Sequence, residues 1–292
     1  MSFTQARPDN EFDLLAAAGP GATLPVVRRS WVNVPTGGHV SAVHWGDGTA
    51  QVVFLHDIAR SARSFDLVAM ALQRPSVAID LPGHGRSNWR RDGRYPARRL
   101  AVPVAEAISS FAPHAELLVG AGLGAQVAVA IAARQLSPAI RQLVLVDPLP
   151  GLTSAPPPAE PTAEPAEPTA VRRFSSPAEA ADALRLLHPA WPVEQIEREV
   201  ASELESGADG SWAWRHHPGN VPVDTTAAPA DPRLWADASG LTVAVYALVG
   251  SPVQAGTGPT GVEFISVPGA GDDPVARAPS ALAAGLAGLL TA

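Results

Sequence analysis

The stretch that most constrains the fold is residues 117–131, where an apolar run enters a glycine-rich turn and an alanine-rich segment leaves it. Residues 117–119 are apolar and suit a buried strand, and Gly120, Gly122 and Gly124 follow at alternate positions. Glycine permits turn conformations that other residues avoid, and alanine favours helix. The stretch therefore predicts a strand, a sharp turn and a helix in direct succession.

Strand and helix patterns alternate through most of the chain. Residues 30–34 and 39–45 are predicted to form two strands joined by a turn at 35–38. Buried strands, for which short apolar runs are typical, are predicted at residues 52–55, 76–79, 116–119, 142–146, 241–249 and 262–267. Helical patterns occupy residues 64–72, 102–111, 127–134, 177–187, 192–204 and 278–290. This order predicts an α/β fold, with a mostly parallel twisted sheet and helices on both of its faces.

The alternation breaks after residue 150. Residues 151–170 are rich in Pro, Ala, Glu and Thr, a composition typical of a flexible or polyproline-like linker. Two helical patterns follow before the strands resume, which predicts a small helical cap inserted into the core. The predicted division is a flexible tail at 1–25, a first core part at 26–150, a linker at 151–175, a cap at 176–238 and a last core part at 239–292.

Composition excludes several functions. The net charge is −7 and no basic run occurs, which argues against nucleic acid as a partner. There is no Cys and no Lys, which excludes thiolate metal sites, Cys nucleophiles and Schiff-base chemistry. The sequence contains no signal peptide pattern and no apolar stretch that would span a membrane, so we expect a cytoplasmic protein that does not associate with membranes.

Several motifs resemble the α/β-hydrolase fold superfamily in its capped, esterase- or lipase-like form, and they occur in that family's order. The glycines at 120–124 resemble its G-x-S-x-G turn, called the nucleophile elbow. Residues 80–87 resemble its D-x-x-G-H-G-x-S segment, and residues 54–57 resemble the strand end where its oxyanion loop begins. Further similar stretches lie at 145–147, 209–215 and 267–271, so the resemblance covers roughly residues 30–290.

Members of this family hydrolyse esters and related bonds with a Ser or Asp nucleophile, an acid and a His. At the matching positions this chain has Gly122 for the nucleophile and Asp272, directly after Gly271, for the His. The turn at 250–253, where the acid is expected, has no carboxylate, and all eight His lie at or before His217. The resemblance therefore predicts a degenerate catalytic triad.

The oxyanion hole of this family is formed by backbone groups, so it does not depend on particular side chains. The resemblance implies an oxyanion hole formed by the backbone N–H groups of Leu123 and Ile58, next to Gly122. Asp57 stands where the family usually has glycine, and its carboxylate either repels anionic ligands or points outward to solvent. His56 either touches a ligand or braces the loop by a hydrogen bond.

Each of the remaining candidate site residues has a possible structural role as well as a functional one. Trp212 and Trp214 either line a ligand pocket under the cap or pack the insertion. Asp57, Asp272 and Asp273 belong to loops that neighbour one another in such a fold, but solvated or structural roles are favoured over a shared metal. We expect neither a metal nor a cofactor.

Two main hypotheses follow. The first is a non-hydrolytic pseudoenzyme that binds a small apolar or carbonyl ligand, or that forms a homo- or hetero-oligomer with an active relative. The alternative is an enzyme of this fold with non-standard acid/base chemistry, a lyase, an isomerase or a weak esterase-type hydrolase, that uses Asp272, His56 or Asp57. A plain serine hydrolase would need a displaced nucleophile, for which the candidates are Ser87, Ser251 and Ser266.

Overall fold

The computed structural model of the chain describes residues 11–12, 25–36, 38–146, 172–217, 240–250, 261–271 and 273–290. Eight strands form one sheet in the order β1-β2-β4-β3-β5-β6-β9-β10. They are β1 (Val27–Asn33), β2 (His39–Trp45), β3 (Val52–Leu55), β4 (Ser76–Ile79), β5 (Leu117–Ala121), β6 (Gln142–Val146), β9 (Ala244–Val249) and β10 (Val262–Ser266). The pairs β1–β2 and β2–β4 are antiparallel, and the other neighbours are parallel, which confirms the predicted fold class.

Helices cover both faces of this sheet. The core helices are α1 (Asp66–Leu72), α2 (Ala97–Phe111), α3 (Leu123–Ala133), α6 (Pro274–Arg277) and α7 (Pro279–Leu290), with a 3-10 turn at Ala62–Phe65 before α1. Apolar side chains of α2 and α3 pack on one face, and those of α1 and α7 pack on the other. Strands β3 and β5 are almost fully buried between these layers, as expected for parallel strands that are covered on both sides.

Residues in the predicted cap range form two helices, α4 (Pro177–Leu187) and α5 (Val193–Glu203), and a short antiparallel ribbon of β7 (Leu204–Ser206) and β8 (Trp212–Trp214). The ribbon was not predicted, because strands of three residues are too short to show a periodic pattern. The apolar centre of this unit includes Phe174, Ile196 and Val200, and Ala276 of α6 packs into the same cluster. The cap elements therefore rest on the last part of the core.

Much of the predicted tail and most of the predicted linker lie outside the described residues. The division of the chain into domains stays a prediction. Among the described residues, no helix combines the length and the apolar character that crossing a membrane requires.

Candidate active site

The sheet register brings two loops together at the carboxyl ends of its central strands. Strands β3 and β5 are parallel neighbours, and Leu55 pairs with Gly120. Asp57 follows Leu55 by two residues and Gly122 follows Gly120 by two residues, so both lie just past the same edge of the sheet. The strand order reverses around β3, and in open α/β sheets ligands bind at such a point, beyond the carboxyl ends of the strands.

The carboxylate of Asp57 points into this site. Its Oδ1 accepts hydrogen bonds from the backbone N–H of Leu123 at 2.7 Å and from that of Ile58 at 2.6 Å. These are the two N–H groups that were predicted to form the oxyanion hole. The predicted alternative that Asp57 points outward to solvent is therefore wrong, because the side chain itself occupies the two donors.

Gly122 forms the turn between β5 and α3, with φ 49° and ψ −112°. A side chain is disfavoured in this region of backbone conformation. A Cβ on residue 122 would moreover overlap Oδ1 and Cγ of Asp57. The turn keeps glycine because the carboxylate of Asp57 fills the volume in which any other residue at 122 would begin its side chain.

Glycine is required at position 124 for a different structural reason. A Cβ at this position would overlap the backbone carbonyl of Leu55 on the neighbouring strand, so only glycine lets α3 start this close to β3. The spacing of the glycine frame therefore follows from the close approach of β5, α3 and β3.

Asp57 is partly buried. Burial raises the pKa of its carboxyl to about 6, while the N–H groups of Leu123 and Ile58 and the charge of Arg60 oppose this rise and Asp273 adds to it. A carboxyl of this pKa is largely ionised at pH 7 and still basic enough to accept a proton from a reacting group. Among the described residues, both hydrogen bonds to this carboxylate go to Oδ1, and none goes to Oδ2.

His56 has both ring nitrogens engaged. Its Nε2 accepts the backbone N–H of Leu81 at 2.9 Å, and its Nδ1 donates to the backbone carbonyl of Asp57 at 2.6 Å. Burial lowers the pKa of His56 to about 4, so the ring is neutral at pH 7. This geometry gives His56 the bracing role, since it holds the start of the loop and has no free nitrogen for acid/base work.

The end of the chain contributes Asp273 to the surroundings of the site. Its Oδ1 caps α6 by accepting the N–H of Ala276 at 3.0 Å, and its Oδ2 accepts a hydrogen bond from Nη1 of Arg60 at 3.0 Å. Asp272 lies outside the described residues, and its predicted role stays a prediction. No group of His, Asp and Glu among the described residues is arranged to hold a metal ion.

Arg60 is a residue that the sequence reasoning missed. Its guanidinium is buried, donates from Nε to Oε1 of Glu199 at 3.2 Å, and lies over the ring of Trp191 at 4.5 Å. It follows Asp57 by three residues in the oxyanion loop. That position was its signal in the sequence, because its charged partners come from the cap and from the end of the chain.

The tryptophans of the predicted cap pocket lie in β8. Both are half-buried and pack against the apolar centre of the cap, where the ring of Trp214 meets Phe174 edge-on at 5.8 Å. Trp212 and Trp214 pack the cap, and a ligand pocket that they line under the cap stays a prediction.

Neither of the two serine candidates that the structure describes, Ser87 and Ser266, replaces a nucleophile at the turn. Ser87 is buried, donates to the backbone carbonyl of Asp80 at 2.5 Å and accepts the N–H of Ser41 at 2.9 Å. Ser266 ends the last strand of the sheet and is exposed, and Ser251 lies outside the described residues. Ser87 therefore holds the turn after β4 in place.

Comparison with known proteins gives consistent matches. A model of the alpha/beta hydrolase family matches residues 52–289. The esterase Rv0045c of Mycobacterium tuberculosis is 35% identical over 216 residues, which are 71% of this chain and 70% of that protein. A solved structure of this esterase superposes with a TM-score of 0.76 at 27% identity and covers 97% of this chain and 99% of its own.

A further solved structure is similar in fold, at a low sequence identity. The thioesterase domain from the curacin biosynthetic pathway superposes with a TM-score of 0.71 at 21% identity, over 91% of this chain and 99% of that domain.

The prediction of a non-hydrolytic pseudoenzyme is contradicted by the esterase relative, which points to hydrolysis and favours the alternative hypothesis. The prediction rested on the missing triad residues at Gly122, at Asp272 and in the turn at 250–253. Beside Gly122 the structure places the carboxylate of Asp57, which comes from the neighbouring loop. With a family match over residues 52–289 and a relative that is 35% identical, the chain belongs to the alpha/beta hydrolase family.

Proposed function

We propose that this chain hydrolyses esters, and that the carboxylate of Asp57 acts as the general base in place of a serine at the turn. The esterase relative supports the reaction class. The observation that carries the role of Asp57 is its position, since the carboxylate lies over Gly122 in the volume where the side chain of residue 122 would otherwise stand.

The proposal includes the absence of a Ser–His–acid triad. Gly122 has no side chain at the turn, and Asp272 follows Gly271 where the family has its His. All eight His of the chain lie at or before His217, so no His follows the last strand. The proposed reaction therefore forms no acyl-serine at this turn.

The proposed reaction adds water directly to the ester. Oδ2 of Asp57 takes a proton from water while the water oxygen attacks the acyl carbon. The tetrahedral intermediate then breaks its C–O bond to the alcohol, which takes the proton back from Asp57. The products are one carboxylic acid and one alcohol, and Asp57 returns as a carboxylate. General base catalysis of this kind contributes roughly 10²–10⁴-fold.

We expect the reaction to be slow and to favour esters with good leaving groups. Oδ1 of Asp57 already accepts the N–H groups of Leu123 and Ile58, so the developing oxyanion receives no hydrogen bond from them while this contact persists. Removal of one such donor costs hydrolytic enzymes roughly 10²–10³-fold in kcat. Esters of p-nitrophenol need less stabilisation at the leaving oxygen and are therefore the substrates of choice for detection.

The experiment measures hydrolysis of p-nitrophenyl acetate and butyrate by the unaltered protein and by Asp57→Asn, which keeps the shape of the side chain but removes its basicity. We expect a loss of roughly 10²–10⁴-fold in kcat. Asp66→Asn is the matched control, because burial also raises the pKa of Asp66 to about 6, but this carboxylate lies on α1 and pairs with Arg63 at 2.6 Å. Unaltered hydrolysis in Asp57→Asn, or no hydrolysis by the unaltered protein, contradicts the proposal.

A further inference from the structure

Arg60 connects the loop that carries Asp57 to two other parts of the molecule. Its Nε bonds to Glu199 on cap helix α5 at 3.2 Å, and its Nη1 bonds to Asp273 at the start of α6 at 3.0 Å. The Arg60 side chain is about nine-tenths buried, and that of Glu199 is equally shielded. One buried cation is thus held between two carboxylates, beside the site.

Neither Arg60 nor Asp273 forms a direct ion pair with Asp57 among the described residues. The hydrogen bonds to the Asp57 carboxylate come from the backbone of Leu123 and Ile58. The backbone N–H of Arg60 donates to the carbonyl of Asp57 at 3.2 Å, and Asp273 accepts a hydrogen bond from the Arg60 guanidinium, so both charges lie beside this loop. The cation of Arg60 lowers the pKa of Asp57 and the anion of Asp273 raises it. A nearby cation favours the ionised carboxylate, and a nearby anion favours the protonated one.

Charged and titratable groups lie near Asp57 on its own loop, at the start of α6 and on the cap. Its own loop supplies the cation of Arg60 and the neutral ring of His56, and the start of α6 supplies the anion of Asp273. The turn before α3 supplies backbone N–H groups and no charged side chain. On the cap side, the anion of Glu199 faces Arg60, so it reaches Asp57 chiefly by holding that guanidinium in place.

We propose that Arg60 and Asp273 are opposed positioning residues that together set the pH above which Asp57 carries its negative charge and works as a base. The inference rests on the proposed function of Asp57. It also gives a functional reason for the ion pair between Arg60 and Asp273. The pair holds one charge of each sign near Asp57, so that neither acts alone. If either charge is removed, the other is left to act on the carboxylate.

Two variants that break the same ion pair should then have opposite effects. Arg60→Gln removes the cation, and we expect the acid side of the pH profile of kcat/KM to move to higher pH by about 1 unit. Asp273→Asn removes the anion and keeps a residue that caps helices well, and we expect a movement to lower pH. Arg60→Lys retains the charge and should restore most of the original profile.

A purely structural role for the ion pair predicts something different. Loss of packing or of cap attachment would change kcat/KM in both variants without moving the two profiles in opposite directions. Movement of both profiles in the same direction, or movement of neither, overturns the proposal. If Arg60→Gln does not fold because Glu199 is left without a cation, the double variant Arg60→Gln with Glu199→Gln takes its place, and an upward movement is still expected.

A second readout separates this inference from the proposed function. The titration of Asp57 is followed by ¹³C NMR of labelled aspartate carboxyls, and its signal is assigned by its absence in Asp57→Asn. Opposite movements of that titration in Arg60→Gln and Asp273→Asn support the electrostatic roles even if the protein hydrolyses no ester. If ester hydrolysis depends on Asp57 but its titration does not move, the base assignment stands and the roles of Arg60 and Asp273 are refuted.

Discussion

The position of the Asp57 carboxylate depends on the absence of a side chain at Gly122. Asp57 fills the volume above the turn, and a Cβ at residue 122 would overlap it. The glycine therefore admits the carboxylate, and the carboxylate in turn satisfies the N–H of Leu123, which follows the turn.

This relationship predicts non-additive stabilities. Gly122→Ala should destabilise the protein by at least about 1–3 kcal/mol, since it adds a Cβ at positive φ and also displaces Asp57. In an Asp57→Gly background the same substitution should cost less, because only the backbone conformation is then disfavoured. Urea unfolding of the two single variants and the double variant measures the coupling. Additive free energies would show that the two residues do not compete for this volume.

The raised pKa of Asp57 predicts a pH-dependent stability. Burial raises the pKa of this carboxyl from 3.8 to about 6, so between these values the folded protein holds a proton that the unfolded chain has released. Stability should therefore fall as the pH rises from about 4 to about 6. Asp57→Asn removes this loss, and should be more stable than the unaltered protein by roughly 1–3 kcal/mol at pH 7 and no more stable at pH 4. Thermal unfolding of both proteins at the two pH values tests this. The prediction is contradicted if the variant differs in stability from the unaltered protein by the same amount at pH 4 and pH 7.

If the rate of ester hydrolysis rises near pH 6, a histidine is the usual candidate for the titrating group. The structure predicts that His56 is not that group. Burial lowers the pKa of His56 to about 4, and both of its nitrogens are hydrogen-bonded. His56→Gln should therefore lower kcat, because the loop loses its brace, yet keep the rise near pH 6. Loss of that rise in the pH dependence of p-nitrophenyl acetate hydrolysis would assign the titration to His56 instead.

The contact between cap and core should also depend on pH. Glu203 of α5 accepts a hydrogen bond from Ser61 of the core, and burial raises its pKa to about 7, with the anions of Asp80 and Glu199 adding to the rise. Stability that comes from protonated Glu203 is present at pH 4.5 and is lost as the pH rises through 7.

Glu203→Gln should keep this hydrogen bond and remove the titration. We expect the variant to be more stable than the unaltered protein at pH 8, by roughly 1–3 kcal/mol, and equally stable at pH 4. Denaturant unfolding at the two pH values measures this. A variant that is less stable at pH 8 would show that the ionised carboxylate strengthens the contact.

Most of the sheet could be predicted from the sequence, because buried parallel strands are short and continuously apolar. The predicted strands at 52–55, 76–79 and 142–146 agree with β3, β4 and β6. The edges were less predictable. Strand β1 begins at Val27 rather than residue 30, because pairing with β2 extends it through Arg28 and Arg29, which no apolar pattern marks. Helix α2 likewise begins at Ala97, five residues before its apolar pattern was recognised.

The sequence by itself determined the family resemblance, the glycine at position 122, the absence of Lys and Cys, and the absence of a His after residue 217. Only the tertiary structure decided what stands above Gly122. Asp57 and Leu123 are 66 positions apart, and they meet because β3 and β5 pair in a register that ends both strands at one edge. The direction of the Asp57 side chain then follows from two unpaired N–H groups that a partly buried carboxylate can satisfy. Local patterns record neither that register nor that hydrogen bonding. Asp57 was one of three acid/base candidates in the sequence, and only the fold showed that its carboxylate lies over Gly122.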